Sequence, residues 1–185
     1  MDDKTSTISL LERLINLLNR FYGIQSGRIS IDGHNIDALS LKGLRSHIAV
    51  VLQDVFLFAD TIENNISLGN SEVSLSEIEA AAKEIGVHDF IESLPGGYQF
   101  NVKERGGMLS SGQRQLIAFL RAYVTKPSIL VLDEATSSID SASEQLIQKA
   151  TDTITKGRTS IVIAHRLATI QKASNILVMD AGVIV

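Results

Sequence analysis

The chain has 185 residues, with 17 Lys and Arg against 21 Asp and Glu for a net charge of −4, and no cysteine. An apolar fraction of 44% is that of a globular chain with a sizeable core, so disorder is excluded, and the acidic balance argues against a broad nucleic-acid-binding face. The missing cysteine excludes a disulfide scaffold, a thiolate zinc site and a cysteine nucleophile, and the longest apolar runs, such as Ile48–Leu52 and Leu116–Leu120, fall far short of the ~20 residues of a membrane span. With Met1-Asp2-Asp3-Lys4 a poor start for a signal peptide, the chain reads as a soluble cytosolic domain or a fragment of one.

Residues 8–21 hold a short repeat, Ile8-Ser9-Leu10-Leu11-Glu12-Arg13-Leu14 followed by Ile15-Asn16-Leu17-Leu18-Asn19-Arg20-Phe21. A heptad returns to within about 20° of the same helix face, so one amphipathic helix is expected over 7–21, capped by Ser6 or Thr7 and stopped by Gly23. Gly27–Gly33 alternates like a short strand between two turns, and Ile48–Leu52 reads as a buried strand followed directly by Gln53. Ser74-Leu75-Ser76-Glu77 is a capping box opening a helix that ends before Gly86. A short helix over 88–94 is stopped at Pro95, and a longer one runs from Ser111 to about Thr125 with Leu116, Phe119, Leu120 and Tyr123 on one side.

Ile129–Leu132 is all apolar, which suits a parallel strand covered on both faces. Ser141-Ala142-Ser143-Glu144 reads as a second capping box, with its helix running to Thr155. A buried strand over 160–164, a helix near 166–172, a strand over 176–179 and a stub at 183–185 complete the chain. The alternation predicts an α/β domain with a mainly parallel sheet, and the stretch 74–125 a helical lobe beside it.

In open parallel sheets, ligands gather beyond the carboxyl ends of the strands. Three expected strands end there in polar residues: Gln53, Asp133-Glu134 and His165. One of two adjacent acids can hold Mg²⁺ while its neighbour polarises a water aimed at a phosphate, although the pair alone also reads as a helix cap and a solvated turn. An imidazole can donate to a phosphate, or simply be a satisfied structural histidine. Gln53 can ligate a metal or a water without changing the local charge. Leu109-Ser110-Ser111-Gly112-Gln113 opens a helix with small, hydroxyl-bearing residues, suited to an anion or to a plain N-cap.

Together these segments resemble the nucleotide-binding domain of ATP-binding cassette (ABC) transporters. Leu109–Gln113 is similar to the family signature, with Ser111 in place of its first glycine, and Ile129–Glu134 to the Walker B strand. Ser137-Ser138-Ile139-Asp140 is similar to the D-loop, His165 to the switch histidine and Gln53 to the Q-loop glutamine. The likeness covers residues 15–185, and Leu44–Ile66 with Glu104-Arg105-Gly106 is most like exporter-type cassettes. It implies a P-loop NTPase-like fold: an α/β core over 15–73 and 126–185, a signature-bearing lobe over 74–125, and an altered or foreign segment over 1–14. It further implies that Asp133 holds Mg²⁺ through water, Glu134 is the general base and His165 contacts the γ-phosphate. Gln53 then senses the metal and the water. Ser110, Gly112 and Gln113 act in trans on ATP held by a second cassette, in a head-to-tail dimer whose seam contains Asp140. The implied setting is the cytoplasmic face of a membrane, beside a transmembrane domain on the same parent polypeptide and away from nucleic acid.

The sequence departs from the family at its start. A P-loop reads G-x-x-x-x-G-K-[ST], yet no glycine precedes Gly23, and only Lys4-Thr5 is similar to its end. By family spacing the lysine slot falls on Leu11; if Lys4-Thr5 is the remnant, an added heptad moves Lys4 about 10.5 Å along the helix, out of reach of a metal at Asp133. The family's upstream strands and its tail are absent as well, so a truncated piece of a longer protein is expected. Charge-assisted phosphate bonds contribute about 1.5–3 kcal/mol each, so losing several raises Kd by about three orders of magnitude or more. The expectation is a parent ATPase that powers export, with weak ATP binding by this chain alone. The alternatives are a degenerate, non-catalytic cassette acting as a dimerisation module, and a DNA-repair-type ABC ATPase, whose inserted coiled coils are missing here.

Overall fold

The computed structural model describes residues 10–133, 141–164, 167–180 and 183–185. Helix α1 spans Leu10–Leu18. It ends earlier than expected: Arg20 turns left-handed at φ 51, and a Phe21 N–H to Asn16 C=O bond of 2.8 Å closes a Schellman cap. Gly23 is therefore not the stop. A non-glycine residue can occupy that conformation here because its guanidinium is anchored far along the chain, donating to Ile36 C=O at 3.0 Å and Leu39 C=O at 2.7 Å.

Strands β1 (Ser30–Ile31) and β2 (His34–Asn35) form an antiparallel hairpin in place of the single strand expected there. Both central residues, Asp32 and Gly33, have positive φ, as a type I′ turn requires. Helix α2 (Leu41–Ser46) leads into β3 (Ile48–Val51). Helices α3 (Ile62–Ser67), α4 (Leu75–Ile85), α5 (His88–Glu92) and α6 (Ser111–Val124) follow before β4 (Ile129–Asp133). Helix α4 has its expected capping box at Ser74, with Gly86 left-handed at its end, whereas α5 stops two residues short of the expected 94. Helix α7 spans Ser141–Thr155. The chain continues through β5 (Thr159–Ile163), α8 (Leu167–Gln171) and an antiparallel pair, β6 (Met179–Asp180) and β7 (Val183–Ile184). Ile176, Leu177 and Val178, expected in a strand, lie outside one and are more than half exposed.

The main sheet has the order β3-β4-β5 with both pairs parallel, as the alternation predicts. Successive side chains of a strand face opposite ways, and the core divides accordingly. Val51, Leu130, Leu132 and Val162 join residues of α4, α6 and α7 in one cluster. Ile48, Ile129, Val131 and Ile161 join Ile15 of α1 and Leu44 of α2 in the other. Helices thus cover both faces of the sheet, and β4 is buried from Ile129 to Leu132, which is why it reads as a continuous apolar run. Among the described residues, no helix is long and apolar enough to cross a membrane.

Candidate functional site

The register aligns Val51, Leu132 and Val162 across the sheet, so all three strands finish at one edge. Asp133 is the last residue of β4, half-buried and beside Ile163 of β5. Gln53 follows β3 by two residues and is exposed. The same edge therefore carries a carboxylate and an amide, brought together by strand pairing between segments 80 residues apart in sequence. Glu134, Asp140, His165, Lys4 and Thr5 lie outside the described residues, as does the Ser137–Ile139 stretch.

Helix α6 approaches this edge from the face of Leu130 and Leu132. Its second turn supplies Gln115 to a cavity of about 10 Å³ shared with Leu132 and Asp133, room for about one water. The residues at the helix start form a closed reciprocal cap. Gln113 N–H donates to Ser110 Oγ at 3.2 Å, and Ser110 N–H donates to Gln113 Oε1 at 2.9 Å. Ser110 Oγ acts there as an acceptor, so its hydroxyl proton remains available to a ligand oxygen. The first turn itself holds no acid to meet the positive end of the helix dipole. Gly112 is buried in the first turn, and Ser111 beside it is exposed. Ser110, Gly112 and Gln113 are not among the residues lining the Asp133 cavity.

A strained bend precedes this helix. Lys103, Arg105 and Gly106 all have positive φ, and a Cβ on Gly106 would stand 2.9 Å from both Leu57 Cδ1 and Arg114 Cδ. Arg114 in turn donates to Leu109 C=O at 2.7 Å, tying the bend to the signature segment.

Two features here escaped the sequence reading. One is a groove of about 890 Å³ beside the loop after Gln53, lined by Leu52, Phe56, Phe58, Leu68, Arg121 and Lys126 among others. Phe56 and Phe58 meet edge to face at 5.1 Å, and each remains more than half exposed. Their i, i+2 spacing around the buried Leu57 was the available signal. The other is Arg121, whose burial holds its guanidinium below the ordinary arginine value. Nearby, the Tyr123 phenol is pushed up, first by its hydrogen bond to Glu84 at 2.7 Å and then by burial.

A family model described as ABC transporter matches residues 12–137. The ATP-dependent lipid A-core flippase of Saccharophagus degradans is 52% identical over 172 residues, which make up 93% of this chain and 29% of the flippase. An uncharacterized ABC transporter ATP-binding protein of Bacillus subtilis, YknV, is 50% identical over 169 residues, 91% of this chain and 28% of its own length. Among solved structures, a bacterial Atm1-family ABC exporter with ATP bound superposes with a TM-score of 0.81 at 44% identity, covering 92% of this chain and 30% of the exporter. The chain spans under a third of the length of the curated relatives it matches.

Proposed function

The chain belongs to the ABC transporter family, and from that premise we propose that it is the nucleotide-binding, ATP-hydrolysing part of an exporter whose membrane domain lies elsewhere in the parent protein. The observation that carries this reading is the parallel register bringing Asp133 and Gln53 to one sheet edge, with Gln115 of α6 lining a small cavity together with the same aspartate. On this reading 15–73 and 126–185 act as the α/β core, 74–125 as the signature lobe and 1–14 as an altered segment.

A carboxylate and an amide offer oxygen donors, the hard set that a magnesium ion keeping several waters accepts. When bound, that ion offsets phosphate charge. Asp133 would hold such an ion through water, and Gln53, exposed at the same edge, would contact the metal and the attacking water. Glu134 takes the proton of that water as general base. His165 donates to the γ-phosphate.

Ser110 supplies its hydroxyl proton, with Gly112 and Gln113, to ATP held by a second cassette in a head-to-tail dimer. Asp140 belongs to the seam of that dimer. The groove beside Gln53, with Phe56 and Phe58 exposed at its rim, suits a transmembrane-domain contact at the cytoplasmic face of the membrane.

No glycine precedes Gly23, and Lys4-Thr5 is the sole P-loop-like trace, so the isolated chain binds MgATP weakly. Two measurements test these statements. Isothermal titration with MgATP is expected to give a millimolar Kd, and micromolar affinity overturns the weak-binding claim. Mixing the chain with an intact cassette is expected to raise the partner's ATPase rate, and no rise overturns the role of the Ser110–Gln113 segment.

A further inference from the structure

The chain leaves β3 through Gln53 and runs to Ile62, the start of α3, without helix or paired strand other than a single bridge from Thr61 to Asn101. The middle of this loop is fixed by two side chains that do not belong to it. Asn65 of α3, fully buried, presents its carboxamide to Phe58 as a neighbouring strand would. Its Oδ1 accepts from Phe58 N–H at 2.8 Å, and its Nδ2 donates to Phe58 C=O at 3.0 Å and to Thr61 C=O at 2.9 Å. Arg121 of α6 grips the same knot from the other side. Its Nε donates to the Asn65 main-chain oxygen at 2.8 Å, and Nη1 and Nη2 reach Phe56 C=O at 3.3 and 3.4 Å. These acceptors are neutral amide oxygens, so the fork holds backbone rather than balancing a carboxylate.

Between the two gripped carbonyls, Leu57 is fully buried and packs where Gly106 and Arg114 come closest. The loop is thus attached to α6 through Arg121 near the helix end, while Leu57 lies against the Gly106 bend that precedes the helix.

We propose that Arg121 is a positioning residue: its guanidinium holds the Phe56–Phe58 stretch on α6, and so fixes the path of the loop that carries Gln53 away from the sheet edge. The clamp stands on hydrogen bonds alone, whereas its consequence for nucleotide rests on the function proposed above.

Amide hydrogen exchange on the 185-residue chain and its Arg121→Met and Arg121→Lys variants tests the clamp. The reporter is Phe58 N–H, bonded to Asn65 Oδ1, and the controls are the amides of the central strand β4. Arg121→Met is expected to lower Phe58 protection about ten-fold or more, the size set by losing hydrogen bonds from a charged donor, while β4 keeps its own. Arg121→Lys recovers only part of that loss, because one ammonium cannot fork between the Asn65 and Phe56 carbonyls. A merely structural arginine would lower both sets together through global unfolding. Unchanged Phe58 protection, or a fall that only tracks β4, overturns the proposal. Should Arg121→Met not fold, the same comparison on Arg121→Lys decides: selective loss at Phe58 upholds the clamp and equal loss overturns it. The two readings also fail separately, since the absence of any MgATP binding removes the nucleotide role but leaves the Phe58 result standing.

Discussion

Ser110 is asked to do two things, to cap its own helix and to offer a proton to a phosphate, and substitutions can separate them. Ser110→Ala removes the oxygen that accepts from Gln113 N–H at 3.2 Å, and the loss of such a cap costs about 1 kcal/mol. In a chain of this size that is a fall in Tm of about 2–4 °C. Gln113→Ala removes the returning bond to Ser110 N–H at 2.9 Å, worth about 0.5–1 kcal/mol. Because both changes break one reciprocal motif, the double variant is expected to cost less than their sum by about 0.5 kcal/mol. Ser110→Asp keeps an N-cap acceptor and adds a negative charge to a first turn that has no acid, so its stability is expected to match or exceed that of the parent. That carboxylate would face the phosphates of ATP on a partner cassette, so the same variant is expected to lose stimulation of the partner's ATPase. Urea unfolding followed by far-UV circular dichroism measures the first effect, a suitable probe in a chain without tryptophan, and the mixing assay measures the second. Two results refute the reasoning. Additive costs would show that the box is not reciprocal in solution, and full stimulation by Ser110→Asp would leave the hydroxyl with capping alone.

Two further outcomes follow from the same geometry. Gly106→Ala places a side chain at φ +69 and a Cβ 2.9 Å from Leu57 Cδ1, so it is expected to cost about 1–2 kcal/mol for the backbone and about 1–3 kcal/mol for the crowding, read as a lower urea midpoint. Glu77 is held below the usual carboxylate range, first by Ser74 N–H and then by Ser74 Oγ. A lowered folded-state value means that its stabilisation is present above the ordinary value of about 4.3 and is lost as pH falls through the folded value. The Tm gap between the parent and Glu77→Ala is therefore expected at pH 7 and should narrow as the pH is lowered below the ordinary carboxylate value, and a gap that acidification leaves unchanged excludes the charged cap as its source.

What the sequence discloses and what it hides divide along the distance over which each residue is held. The strand Ile129–Leu132 is legible because burial on both faces demands an unbroken apolar run, and α4 because Ser74 and Glu77 satisfy each other within one turn. Gln53 and Asp133 are legible as site residues for the same local reason, since each is the first polar group where an apolar strand gives out. The end of α1 is not legible, because Arg20 accepts its left-handed backbone through carbonyls 16 and 19 residues further on, which no window around Gly23 contains. Ile176–Val178 misleads in the opposite direction, since three apolar residues have the composition of a buried strand and yet stand exposed.

Arg121 is the extreme case. Its partners lie 56 and 65 residues away and are backbone oxygens, which carry no side-chain identity for a sequence to display. A charged residue on the core side of an amphipathic helix is nevertheless a local anomaly. Arg121 follows a fully buried stretch, Gln115–Leu120, and precedes the buried Ala122. A guanidinium placed there must find oxygens or remain unsatisfied, and a loop with no partner strand has carbonyls to offer. The inference from an arginine in an apolar helix face to an irregular segment gripped by it is thus open from sequence, even though which segment it grips is decided only by the fold.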